Sequence, residues 1–121
     1  MRIIIDSIPH SEQRYDTIGD WVFGPETGNL LIKVSSLDDW KKELLVGIHE
    51  LIEAALCKDR GIREEDVTTW DKDHPEAEEP GEVQGAPYWA EHFFALDIEK
   101  RVAAQLGVRW ESYERAIKEV R

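Results

Sequence analysis

From Leu44 to Cys57 the chain reads Leu-Leu-Val-Gly-Ile-His-Glu-Leu-Ile-Glu-Ala-Ala-Leu-Cys, and its only strongly polar side chains are His49, Glu50 and Glu53. A helix that is apolar nearly all round is covered nearly all round by other elements. At about 100° per residue the three polar groups share one sector of about 100°, with His49 and Glu53 one turn apart. Carboxylates lose favourable hydration on burial. Two of them beside an imidazole therefore call for a cation, a metal ion, protonation or an opening to a cleft.

A second segment supplies a complement. After Pro87, the residues Tyr88, His92, Ala95 and Glu99 recur at i, i+4, i+7 and i+11, opposite a polar face of Asp97, Lys100, Arg101 and Gln105. Glu91 borders the inward stripe, and the small Ala95 leaves room for close approach. Two helices thus each turn a histidine and at least one glutamate toward a shared interior. Imidazole nitrogens and carboxylate oxygens are the donors of a zinc or other divalent metal site. The expected metal ligands are His49, Glu53 and His92, with Glu91 or Glu99 as alternate ligand or orienting partner. Glu50, off to one side, is the candidate general base. The same histidines and glutamates can equally form a hydrogen-bonded or ionic network that ties the two helices together, with Arg14 entering to neutralise it.

His49-Glu50-x-x-Glu53 resembles the His-Glu-x-x-His helix motif of the zinc metallopeptidases, the zincins, with Glu53 in place of the second histidine. Strands preceding that helix also resemble the zincin arrangement. The resemblance implies His49 as the first ligand, Glu50 as the base that activates water, His92 or Glu91 as a third ligand, and metal-dependent hydrolysis as the activity. The chain as a whole is similar to a small family encoded in phage and prophage regions. The residues that carry this are Pro9-His10-Ser11-x-Gln13-Arg14-Tyr15, Gly19-Asp20-Trp21, Ile48-His49-Glu50-Leu51 with Ala54 and Cys57, and Ala86-Pro87-Tyr88 with Glu91-His92-Phe93-Phe94-Ala95. That resemblance implies a phage-type setting and no particular activity.

The elements that must hold these groups fit one domain: 121 residues, 41% of them hydrophobic, can bury a real core. Arg2–Ile5 reads as a short strand. Asp20–Phe23 and Leu30–Val34 flank Gly24-Pro25-Glu26-Thr27-Gly28-Asn29 as a hairpin. A long buried helix is expected from Ser36 to about Lys58, capped by Ser36 and Asp39 and stopped by Gly61. A helical turn follows at 64–69, then helices from Pro87 to Gly107 and over 111–120. This is an α+β pattern: a small antiparallel sheet packed on a long helix with two further helices, minimal and zincin-like.

Charge narrows the partners. Fifteen Lys and Arg against twenty-six Asp and Glu leave −11, which disfavours direct grip on nucleic-acid phosphates. Residues 64–82 carry −8 of it, and the Pro-rich stretch within 71–86 reads as an exposed acidic loop. Asp71, Asp73 and His74 there are weaker ligand candidates. The rival to a metal site is a non-enzymatic acidic protein that uses this loop, through Glu76, Glu78, Glu79 and Glu82, to bind a basic partner or to mimic nucleic acid. His10, Arg14 and Tyr15 form a polar cluster in the irregular segment before the hairpin. No apolar run reaches the length of a membrane span. The N-terminus meets Asp6 where a secretory signal would continue. The single Cys57 cannot form an internal disulfide, so a soluble cytoplasmic protein is expected.

Overall fold

The computed structural model describes residues 1–121 as a three-stranded sheet and four α-helices, an α+β fold. The strands are β1 (Ile3–Ile8), β2 (Gly19–Phe23) and β3 (Leu30–Ser35). The helices are α1 (Trp40–Asp59), α2 (Glu64–Asp73), α3 (Trp89–Gln105) and α4 (Trp110–Val120). No helix is long and apolar enough to cross a membrane.

The hairpin forms as the pattern requires. β2 and β3 are antiparallel, with Trp21 opposite Ile32, and Gly28 takes the positive φ that the turn needs. Leu30, Ile32 and Val34 alternate into the core, the last two fully buried. The sheet is mixed, however, not antiparallel. Its order is β1-β3-β2, and β1 lies parallel to β3 with Ile5 opposite Ile32. Parallel neighbours need a crossover, and here β2 together with the segment 9–18 provides it. His10 fixes that segment: its Nδ1 meets Ser35 Oγ at 2.8 Å and its Nε2 meets Asp16 at 2.9 Å. The β1–β3 ladder leaves Ile3 and Ile5 exposed at the free edge.

α1 starts four residues later than Ser36. The side chain of Asp39 accepts the Lys41 N–H at 3.0 Å, while the Glu43 carboxylate takes the Leu37 N–H at 2.8 Å, so Leu37 and Asp38 stay outside the helix. Its end follows expectation: Gly61 at φ +71° lets the Ile62 N–H return to the Cys57 carbonyl at 2.9 Å. α2 is a full helix of ten residues rather than a turn. Glu64, Glu65 and Asp66 suit its N-terminus, and Val67 and Trp70 pack toward the core. The core joins Trp21, Ile32 and Val34 of the sheet to Leu45, Val46, Ala54 and Cys57 of α1, with Tyr113 from α4. α1 packs chiefly on α3 and on the hairpin, so its polar sector faces α3.

Candidate metal centre

His49 and Glu53 on α1 and His92 on α3 converge. His49 Nε2 lies 3.1 Å from Glu53 Oε2 and 3.2 Å from His92 Nδ1, and His92 Nδ1 lies 3.3 Å from the same Glu53 oxygen. Three donor atoms thus form a nearly equilateral triangle. Ligands tetrahedral about a zinc-sized ion stand about 3.4 Å apart, by simple trigonometry on bonds of about 2.0–2.1 Å. The triangle matches that spacing within a few tenths of an ångström.

Each of the three has a second partner on its far side. Glu99 takes His49 Nδ1 at 2.6 Å, and Glu82 lies 3.2 Å from His92 Nε2. The indole N–H of Trp21 donates to Glu53 Oε1 at 3.1 Å. With Nδ1–H of His49 and Nε2–H of His92 donated outward, the lone pairs of His49 Nε2 and His92 Nδ1 turn to the centre together with Glu53 Oε2. That is how metal-binding side chains are oriented in general.

The electrostatics follow from burial. Burial alone favours the neutral ring of His49, but hydrogen bonds to Glu53 and Glu99 outweigh it and lift its pKa well above the usual value. His92 is raised too: burial opposes, the Glu53 carboxylate prevails. Burial pushes Glu53 up, yet the two imidazoles overcome it and bring it down to about 2. Glu50 differs. Burial and the charge of Glu53 raise its pKa well above the carboxylate range. It makes no hydrogen bond or ion pair with any side chain, and its carboxyl lies against Gly19, where a Cβ would come within 2.5 Å of Oε1. A carboxyl whose protonated form is favoured by burial and which borders a cavity is suited to proton transfer.

The cavity measures about 380 Å³. His49, Glu50, Glu53 and His92 form its floor, and residues 78–82 with Tyr15, Asp71 and Tyr88 form its wall. Asp71 accepts hydrogen bonds from both tyrosines, Tyr15 at 2.7 Å and Tyr88. The acidic segment therefore folds over the site. Gly81 packs so flat on His92 that a Cβ would stand 2.7 Å from Cγ and Nδ1 of the ring.

Not every expected residue arrives here. Glu91 is buried but paired with Arg60 at 2.7 Å, outside the cluster, because its place beside the inward stripe carries it toward the end of α1. Glu99 orients His49 rather than joining the triangle. Arg14 does not neutralise the cluster: it holds Asp20 at 2.7 and 2.8 Å and Glu64 at 2.6 Å, tying the segment 9–18 to α2. Asp73 is exposed, and His74 stacks on Trp70. Glu82, Trp21 and Tyr88 were the residues whose site roles spacing did not disclose. The one signal for Glu82 was Pro80-Gly81 before it, a break in the acidic run that marks a close approach. No family model, curated protein or solved structure matches the chain.

Proposed function

We propose that this protein holds a divalent metal ion, zinc or one of similar chemistry, at His49, Glu53 and His92 and acts as a metal-dependent hydrolase with Glu50 as its base. The observation that carries the reading is the triangle of donor atoms 3.1–3.3 Å apart, each ligand fixed from behind by Glu99, Glu82 or Trp21. An ion held there supplies Lewis acidity and lowers the pKa of a water toward neutrality. The positive charge of a bound ion would favour the ionised form of Glu50, which would then take a proton from a water at the site and pass it to the leaving group, a role favoured by its place on the cavity lining and its lack of any fixed partner. Asp71 with Tyr15 and Tyr88 stiffens the wall opposite.

The rival reading, in which residues 64–82 dock a basic partner, draws less support, since Glu82, though exposed, spends its carboxylate on His92. A cytoplasmic setting belongs to the same proposal and rests on Cys57 being the only cysteine and fully buried. Metal analysis of the purified protein tests the central claim. One equivalent of zinc in wild type and a small fraction of that in His49→Ala are expected. Wild type free of bound metal after incubation with excess zinc and desalting would overturn it.

A further inference from the structure

The walls of the cavity carry nine carboxyl groups against three ammonium or guanidinium groups, and burial favours the neutral form of one of the nine, Glu50. Those three are already engaged. Lys72 lies over the Tyr15 ring and Lys100 over the Trp110 ring, at 5.8 and 5.3 Å, and Arg121 reaches Asp16 at 4.0 Å. A divalent ion with neutral imidazoles would still leave the cavity strongly negative. Glu79 and Glu114 stand on its wall without an ion-pair partner; desolvation lifts the pKa of Glu79 to about 7, and a cation beside it would restore the ionised form. Glu79 and Glu82 bring carboxylate oxygens within 4.8 Å of one another and of an imidazole nitrogen of His92. This acidic pair stands one imidazole ring away from the proposed metal position.

A second observation says that something polar belongs in this space. Tyr113, which lines the cavity, is 1% exposed, and its hydroxyl, beside Glu99, makes no hydrogen bond of good geometry. Buried hydroxyls in folded proteins are almost always satisfied, so an orphan on a cavity wall marks a contact that a ligand completes.

We infer that the cavity takes a substrate with a positively charged ammonium or guanidinium group close to the bond to be hydrolysed, seated against Glu79 and Glu82, and rejects phosphate esters and other anions. This rests on the metal-hydrolase reading above. The excess of acidic over basic groups attracts a cation into the cavity and repels an anion from it. Selection therefore comes from charge as well as from fit.

Three matched chelators separate the two claims, because a hydroxamate binds the ion and its tail reads the wall. Zinc-loaded protein at about 20 mM salt is titrated by calorimetry with 6-aminohexanohydroxamic acid, hexanohydroxamic acid and adipic monohydroxamate. The cationic tail should bind about tenfold tighter than the neutral one, and the anionic tail weakest. The preference should shrink in roughly 0.5 M salt and in Glu79→Gln/Glu114→Gln, whose zinc content stays at the wild-type level. Equal affinities, or tightest binding of the anionic tail, would overturn the inference and leave the metal reading standing. So would failure of all three to bind a protein that holds its zinc. Failure of the protein to hold zinc at all would overturn both.

Discussion

His49 Nε2 and His92 Nδ1 face each other at 3.2 Å across the α1–α3 interface, and both contact the same oxygen of Glu53. Protons satisfy such an arrangement poorly. Each N–H makes one straight hydrogen bond, and two protonated rings would set like charges edge to edge. A single divalent ion would relieve the conflict by taking a lone pair from each of the three atoms at once.

If Glu99 and Glu82 aim the two imidazoles, removing them should loosen the site without abolishing it. Glu99→Gln and Glu82→Gln are each expected to weaken zinc binding by about 10- to 100-fold. Glu91→Gln, which breaks only the Arg60 pair, should leave zinc affinity unchanged. Isothermal titration of the three variants checks the order, and a loss in Glu91→Gln equal to that in Glu99→Gln would contradict it.

The pH dependence of stability should change sign with metal. In the metal-free protein the pKa values of His49, His92 and Glu50 are raised on folding. The folded state then binds their protons more tightly than the unfolded chain, so the stability they contribute is present at low pH and lost as pH rises through the folded values. The lowered Glu53 works the other way, but only in the window between its ordinary 4.5 and about 2. Between pH 6 and 9 the Tm in a chelator should therefore fall, by about 5 °C. With zinc it should rise over the same range, since the ion needs deprotonated rings. A Tm in chelator that climbs with pH would contradict the assignment.

Two glycines sit where side chains would strike the site. An alanine at Gly81 would meet the His92 ring at 2.7 Å and Tyr88 at 2.8 Å, both rigid, so Gly81→Ala should cost about 1–3 kcal/mol and displace Glu82 from His92. Gly19→Ala meets Glu50 at both Oε1 (2.5 Å) and Cγ (2.7 Å) and the stiff Val46 side chain at 2.8 Å, so it too should destabilise the fold. Its effect within the site should fall on Glu50, which is not a ligand. Denaturant unfolding and zinc titration of both variants separate the effects: Gly81→Ala weakens zinc binding, Gly19→Ala does not.

Glu50→Gln keeps the shape of the side chain and removes its proton-transfer capacity. Zinc content should match wild type and stability should stay close to it, because burial already favours the uncharged carboxyl and the amide has the same shape. Hydrolysis of any substrate found for the protein should fall by about 10²- to 10⁴-fold. Full activity in this variant would remove Glu50 from the reaction.

Much of the site was legible because its signal is local. An unbroken apolar helix with three titratable groups in one sector, and a second helix whose stripe of Tyr88, His92, Ala95 and Glu99 is buried throughout, both follow from the helical period. The hairpin was legible from turn residues between alternating strands. What escaped depends on contacts far apart in sequence. Nothing in β1 itself says which edge of β3 it joins or in which direction. Glu82 reads as one more charge in an acidic run until Gly81 lets the loop lie flat on His92. Glu91 and His92 are neighbours in sequence, yet about 100° around the helix sends one to Arg60 and the other into the centre.

Cobalt(II) titration addresses the metal centre most directly, because the d–d spectrum reports the geometry and donor type of the ion as well as its presence. One equivalent should bind with the intense visible absorption of a tetrahedral nitrogen–oxygen site. That absorption should be lost in His49→Ala and in His92→Ala and displaced by zinc. Weak octahedral absorption only, or an unchanged spectrum in either histidine variant, would contradict the centre built from these two helices.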